Sequence, residues 1–422
     1  MLPDGKIPVA NSESCRSLPR GTYPIMVILS RVLVLCFITA MPLPGLGQGT
    51  TSWVGDGATG AWSDAANWTP APPQSGSGNT LRDLHFGAAW LASPAGQNFV
   101  SSRNDLADFR GHSIVFDSAA PSPFFIITGN GITLSDLGGS SPSIIGNSVE
   151  DVQTVDLDPG QILRFDGGST GAAEVSGRSF IDFKMTAIQL LGTTTLRVVG
   201  DASIAIRGSL SASGGLTADS THDVALFGAA KSYTGATLVK KGRLVVAAPV
   251  TSSAITVQAG AELFAFRQNG IQAQMTTVRV EGGVFSGYDY QATDVTLIGG
   301  SYHMRLVPAN QGGFVGSIAL GGARLVLDAG SEFSLTGTRL IENDGVDPIQ
   351  GRFVDENGTV LEEGSMFTSQ QNGKLVRISY SAGTGNDIWL YEIPEPTTVS
   401  ALLLSGGLLL VRRRPSNICR RF

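Results

Sequence analysis

The sequence predicts an all-β chain, a right-handed parallel β-helix, on three observations. Gly is 54 of 422 residues while charged residues are only 15%, a composition that suits short strands and tight turns better than long solvated helices. From residue 190 onward, apolar residues alternate at period two in short runs, as half-buried strands do. A Gly or Gly-Gly separates two such runs at the same place in each unit. The starts Ile255, Val278, Val295 and Ile318 are spaced 23, 17 and 23 residues apart. A unit of roughly twenty residues is a solenoid period, and one unit buries its inward face only by stacking on the next. An antiparallel β-sandwich is the alternative, because sandwiches also place strands at short intervals.

Taken in order, residues 1–47 read as a secretory signal peptide with a signal helix. Arg31 precedes the apolar run Val32 to Met41. Pro42 and Pro44 then break it, and Gly45 and Gly47 offer a cleavage site before Gln48. The residues ahead of Met26 are polar and contain proline, so Met26 is the expected start.

Residues 48–190 are the expected N-terminal β-rich part of the solenoid. It opens on "WVGDGATGAWSDAANWTP", where Trp53, Trp62 and Trp68 fall close together. Exposed, these rings would be candidate sugar-stacking residues; buried, they would cap the first coil, which otherwise exposes its core. The cap is the favoured reading.

Residues 191–391 carry the strand and Gly-turn units. In "TLVKKGRLVV" Leu238 and Val239 precede Gly242, and Leu244 to Val246 follow. Later units place Leu263, Phe285, Tyr302 and Leu325 after their glycines. "ENDGVDP", with Glu342, Asp344 and Asp347, has the oxygen-rich character of a calcium loop but not the EF-hand spacing, and reads as a turn. "DENG", Asp355 to Gly358, reads as a hairpin turn.

Residues 392–422 hold Pro394-Glu395-Pro396, the 15-residue apolar run Thr397 to Val411, and Arg412, Arg413 and Arg414. As a helix the run reaches about 22 Å, short of the roughly 30 Å hydrocarbon core. Gly406 and Gly407 interrupt it, and the arginines mark its cytoplasmic side. It is expected to be a short transmembrane helix, transient rather than a permanent anchor.

Catalytic patterns are thin. His85, His112, His222 and His303 lie far apart, with no H-E-x-x-H helix and no G-x-S-x-G elbow beside a partner. Lys240, Lys241 and Arg243 near Asp223 could serve a lyase, though a solvated face is the simpler reading. The three cysteines, Cys15, Cys36 and Cys419, sit in the terminal segments, leaving a body without disulfides or thiolate ligands. Residues 48–396 carry 20 basic and 33 acidic side chains, a net of −13, which excludes a polyanion binder and so a nucleic-acid partner. No cofactor and no metal are expected.

Two resemblances extend these readings. Pro-Glu-Pro, a short apolar helix and a terminal arginine cluster resemble the PEP-CTERM sorting signal of outer-membrane-bearing bacteria. That resemblance implies export by the Sec machinery, membrane attachment through the helix, and recognition of Pro394, Glu395 and Pro396 by an exosortase-type membrane enzyme. The tail after Arg414, "PSNICRRF", is longer than the compact signal. "SYTGATLVKKGRLVV", Ser232 to Val246, is similar to the autotransporter-associated β-strand repeat in Tyr233, Thr234, Gly235, Gly242 and Leu244. The upstream Gly214 to Thr217 matches its Gly-Gly-Leu, and Lys240-Lys241 departs from its usual Asn or Asp-Ala. The opening tryptophan segment and the stretch before Pro394 are similar to other exported proteins of this group.

Together these imply an exported, non-enzymatic surface or extracellular-matrix scaffold in the cell envelope, with extracellular polysaccharide as a candidate partner. The alternatives are a displayed polysaccharide-active β-helix enzyme and a carbohydrate-binding surface module.

Overall fold

The computed structural model describes residues 49–393 except 56–58, 77–81, 88–98, 118–123, 148–151, 307–312, 330–336, 345–346 and 370–372. All of these belong to one of the chain's two compact units, Gly47–Phe422. No helix among the described residues is long and apolar enough to cross a membrane. The two expected apolar helices, Val32 to Met41 and Thr397 to Val411, lie outside the described residues.

The fold is all-β, with a long and largely parallel sheet system of the kind a β-helix or solenoid forms. Successive turns of the chain lay strands side by side in parallel register. The pairing is therefore not that of the antiparallel sandwich.

Because side chains alternate across a strand, each ladder sends one column inward. The first column runs Leu84, Ile114, Ile144, Val175, Val198, Ala218, Val239, Val257, Val280 and Leu297, each paired with the next. The second runs Phe125, Gln153, Ile181, Ile204, Val224, Leu244, Leu263, Phe285, Tyr302 and Leu325. A third passes through Ile132, Leu163, Ile188, Leu210 and Lys231. It continues by single bridges to Val250 and then into Met275, Ala292 and Val315. These side chains are almost wholly buried, and each Val, Leu, Ile, Phe or Met among them stabilises the stack by roughly 1.5–3 kcal/mol.

Coil length changes along the chain. Ile114 lies 30 residues after its partner Leu84, whereas Leu297 lies 17 after Val280. The early coils carry a separate third strand, such as Ile162–Asp166, between the other two. In later coils the third and first columns share one strand, as in Gln274–Glu281, where Met275 and Val280 serve them in turn.

The corner between the first and second ladders is a glycine. The strand Thr237–Ala247 bends at Gly242, whose φ is +63° and where a Cβ would stand 2.2 Å from the Ser220 carbonyl oxygen. Only glycine accepts both the left-handed backbone and that contact. In this strand Thr237 and Val239 point inward and Leu238 outward, one residue out of phase with an apolar reading of Leu238.

The last described residues depart from the expected coil pattern. Met366–Thr368, Leu375–Ala382 and Asp387–Glu392 pair antiparallel, and Asp387–Glu392 lies antiparallel against Thr338–Asn343. Hairpins return the chain locally and so cover a strand edge that another parallel coil would leave open.

Candidate functional site

The residues singled out from sequence distribute unevenly. Pro394, Glu395, Pro396, Arg412, Arg413 and Arg414 lie outside the described residues. Trp53, Trp62 and Trp68 are buried, at 1%, 0% and 4% exposure. Trp53 and Trp62 each meet Trp68 edge-to-face, at 4.8 and 5.8 Å between centroids, and Phe86 and Phe109 close the cluster. The Trp62 Nε1 donates to Ser102 Oγ at 3.1 Å. Rings packed in this way offer no open face to a sugar; they fill the end of the core.

Arg243 forks onto Asp223, with Nε to Oδ1 at 3.0 Å and a terminal nitrogen to Oδ2 at 2.6 Å. Lys240 reaches Asp219 at 3.8 Å. These are ion pairs between neighbouring coils on the solvated outer face, each worth little in stability. In "ENDGVDP", Glu342 pairs with Arg339, the Asn343 backbone N–H donates to Asp387 Oδ1 at 3.0 Å, and the Asn343 amide donates to the Asp347 carbonyl at 2.8 Å. Asp355 Oδ1 accepts from the N–H groups of Asn357 and Thr359, at 2.9 and 2.8 Å, which makes "DENG" a turn. No cluster of three His, Cys, Asp or Glu suited to a metal occurs among the described residues.

The histidines do not converge. His112 Nδ1 lies 2.9 Å from the Ser135 carbonyl oxygen. His303 Nε2 lies 2.9 Å from Ser301 Oγ, and burial lowers its pKa. That hydroxyl–imidazole pair sits on a sheet face. The nearby carboxylate Glu262 accepts from Ser286 Oγ.

The Tyr-Thr-Gly stretch has a structural basis. Tyr233 is fully buried, which pushes its pKa up to about 12, and its hydroxyl lies 2.6 Å from Thr237 Oγ1. Thr237 in turn donates to Ser252 Oγ at 3.0 Å. Gly235 sits on Gly214 of the preceding coil so closely that a Cβ would be 2.4 Å from that backbone. This packing explains why both coils carry glycine there.

Sequence reasoning missed Lys231. Its side chain is fully buried in the third column, between Leu210 and Val250. Nζ donates to the carbonyl oxygens of Gly208, Phe227 and Ala229 at 2.6, 2.7 and 2.6 Å. Burial lowers its pKa to about 7. The signal was its position two residues before Tyr233, on the same inward face.

A groove of about 540 Å³ lies on the outside of the later coils, over the third column. It crosses Pro249–Thr251, Gln274–Thr276, Gln291–Thr293, Phe314, Gly316 and Asp344. The chain matches no family model, no curated protein and no solved structure.

Proposed function

We propose that this chain is an exported, non-enzymatic scaffold of the cell surface or extracellular matrix, built as a right-handed β-helix. In this reading residues 1–47 direct export through the Sec machinery. The C-terminal helix holds the precursor in the inner membrane by way of Arg412, Arg413 and Arg414. An exosortase-type enzyme then recognises Pro394, Glu395 and Pro396. The two prolines suit that role because they keep the triplet extended.

The observation that carries the reading is the uninterrupted parallel register from Leu84 to Leu297 around a closed apolar core. Backbone groups paired along such a stack leave few loose segments for a protease, and outside it ion pairs such as Arg207 with Asp182 and Arg243 with Asp223 join neighbouring coils. A displayed polysaccharide-active enzyme is the less favoured reading, because the Ser301–His303 pair has no carboxylate oriented on it among the described contacts.

The test is Pro394→Ala/Glu395→Ala/Pro396→Ala in the native host, followed by fractionation. The expected result is an unprocessed precursor held in the inner membrane while the unaltered chain reaches the surface or matrix. Equal distribution of the two would overturn the proposal.

A further inference from the structure

The outer face of the third ladder carries an unusual run of side chains. Ser211 and Ser232 pair on neighbouring coils, and the register continues through Thr251, Thr276 and Thr293. This is one hydroxyl per coil, about 4.8 Å apart. Ser211 Oγ donates to the Ile188 carbonyl at 3.5 Å, Thr251 Oγ1 to the Lys231 carbonyl at 3.3 Å, and Thr276 Oγ1 to the Ser252 carbonyl. With the proton committed to the protein, the lone pairs of these hydroxyls remain as acceptors.

Beside that column Gln274 pairs with Gln291, and Gln291 with Phe314. Both glutamines are exposed, and neither side-chain amide has a hydrogen-bond partner among the described residues. The groove therefore offers a repeating row of acceptors and a parallel row of amides that donate and accept, with Phe314, whose ring lies under the Arg339 guanidinium, at the end of the amide row. Its first four rows bear no charge, and Asp344 stands at the fifth.

We propose that this groove binds an uncharged linear glycan lying along the stack, with one sugar residue per coil. An extended pyranose chain advances by a step close to the coil spacing, so each residue meets the same pair of rows. Hydroxyl donors on the sugar suit the threonine acceptors, and the amides answer both senses of its hydrogen bonds. The charge complement points the same way. The lining holds no Lys or Arg, and the Arg339 guanidinium over the Phe314 ring, 5.0 Å from its centroid, is paired with Glu342; such a groove in a body of net −13 repels polyanions, whereas a neutral polyhydroxyl chain incurs no such repulsion. The proposal names what the scaffold would hold. It rests on the scaffold reading for its setting, and the binding itself does not depend on processing or sorting.

The test is calorimetric titration of the purified full chain with cello-oligosaccharides from the dimer to the hexamer, with oligogalacturonate as the charged control. Affinity is expected to rise with length until the five rows are spanned, and oligogalacturonate to bind more weakly. Gln274→Ala/Gln291→Ala is expected to weaken hexamer binding by at least about tenfold, the equivalent of one or two lost hydrogen bonds. Thr293→Arg, which fills the groove from an exposed position, is expected to abolish it. Phe264→Ala/Phe266→Ala, on a different outer face, is expected to leave it unchanged. No binding at any length, binding indifferent to both groove variants, or equal affinity for the charged control would overturn the proposal. Failure here with normal sorting of the precursor leaves the scaffold reading standing; the reverse pattern leaves the groove standing.

Discussion

Lys231→Met is the sharpest single perturbation of the core. The ammonium lies fully buried in an otherwise apolar column and meets three carbonyl oxygens. Burial disfavours the charged form and brings the pKa from 10.5 to about 7. The carbonyls act against this shift, since only the ammonium supplies three donors. Between pH 7 and 10.5 the unfolded chain holds a proton at this position that the folded chain has released, so folding stability rises with pH across that window. The contribution is complete above pH 10.5 and is lost as pH falls to about 7. Each pH unit corresponds to about 1.4 kcal/mol, and the full shift to at most about 5 kcal/mol. Methionine has a similar unbranched shape and no charge. It leaves three carbonyls without this donor, at about 1–3 kcal/mol each, but that cost is the same at every pH. Unfolding free energies from urea denaturation at pH 7, 8 and 9 should therefore rise for the unaltered chain relative to Lys231→Met, by about 1 kcal/mol over the first unit, where the folded lysine is still half protonated, and by about 1.3 kcal/mol over the second. Parallel profiles would refute the reasoning and show that the carbonyls hold the proton.

Two further predictions concern packing. Tyr290 and Tyr302 are fully buried with their hydroxyls 3.0 Å apart, and burial raises both pKa values, that of Tyr302 to about 12. Either tyrosine to phenylalanine alone should cost about 1–3 kcal/mol by stranding the other hydroxyl, while the double change should cost less than the sum in a urea double-mutant cycle. Trp62→Ala should cost about 3–5 kcal/mol, because it empties the aromatic end of the core, and the loss should appear as a lower urea midpoint.

Where each coil has two short strands and one glycine corner, the sequence was nearly transparent. Ile255, Val278, Val295 and Ile318 do pair in turn, and so do Leu244, Leu263, Phe285, Tyr302 and Leu325. The corner glycines marked the register because only glycine fits there. The early coils resisted the same reading. With about thirty residues and a third strand each, their repeat unit is longer and shares no fixed corner residue. Polar residues in core columns were the other blind spot. Lys231 and Gln153 are inward by alternation but charged or polar by type, and hydrophobic patterning discounts them. The groove was illegible for a related reason. Thr251, Thr276 and Thr293 are separated by 25 and 17 residues, and only the stacked register makes them neighbours.

The central claim concerns delivery of the stacked body as a processed, exported chain. Mass spectrometry of the mature native protein tests it most directly. The account predicts a first residue near Gln48 and a last residue at or just before the Pro-Glu-Pro triplet. A mature chain that still carries "ALLLSGGLLLVRRR" would contradict it and make the C-terminal segment a lasting membrane anchor.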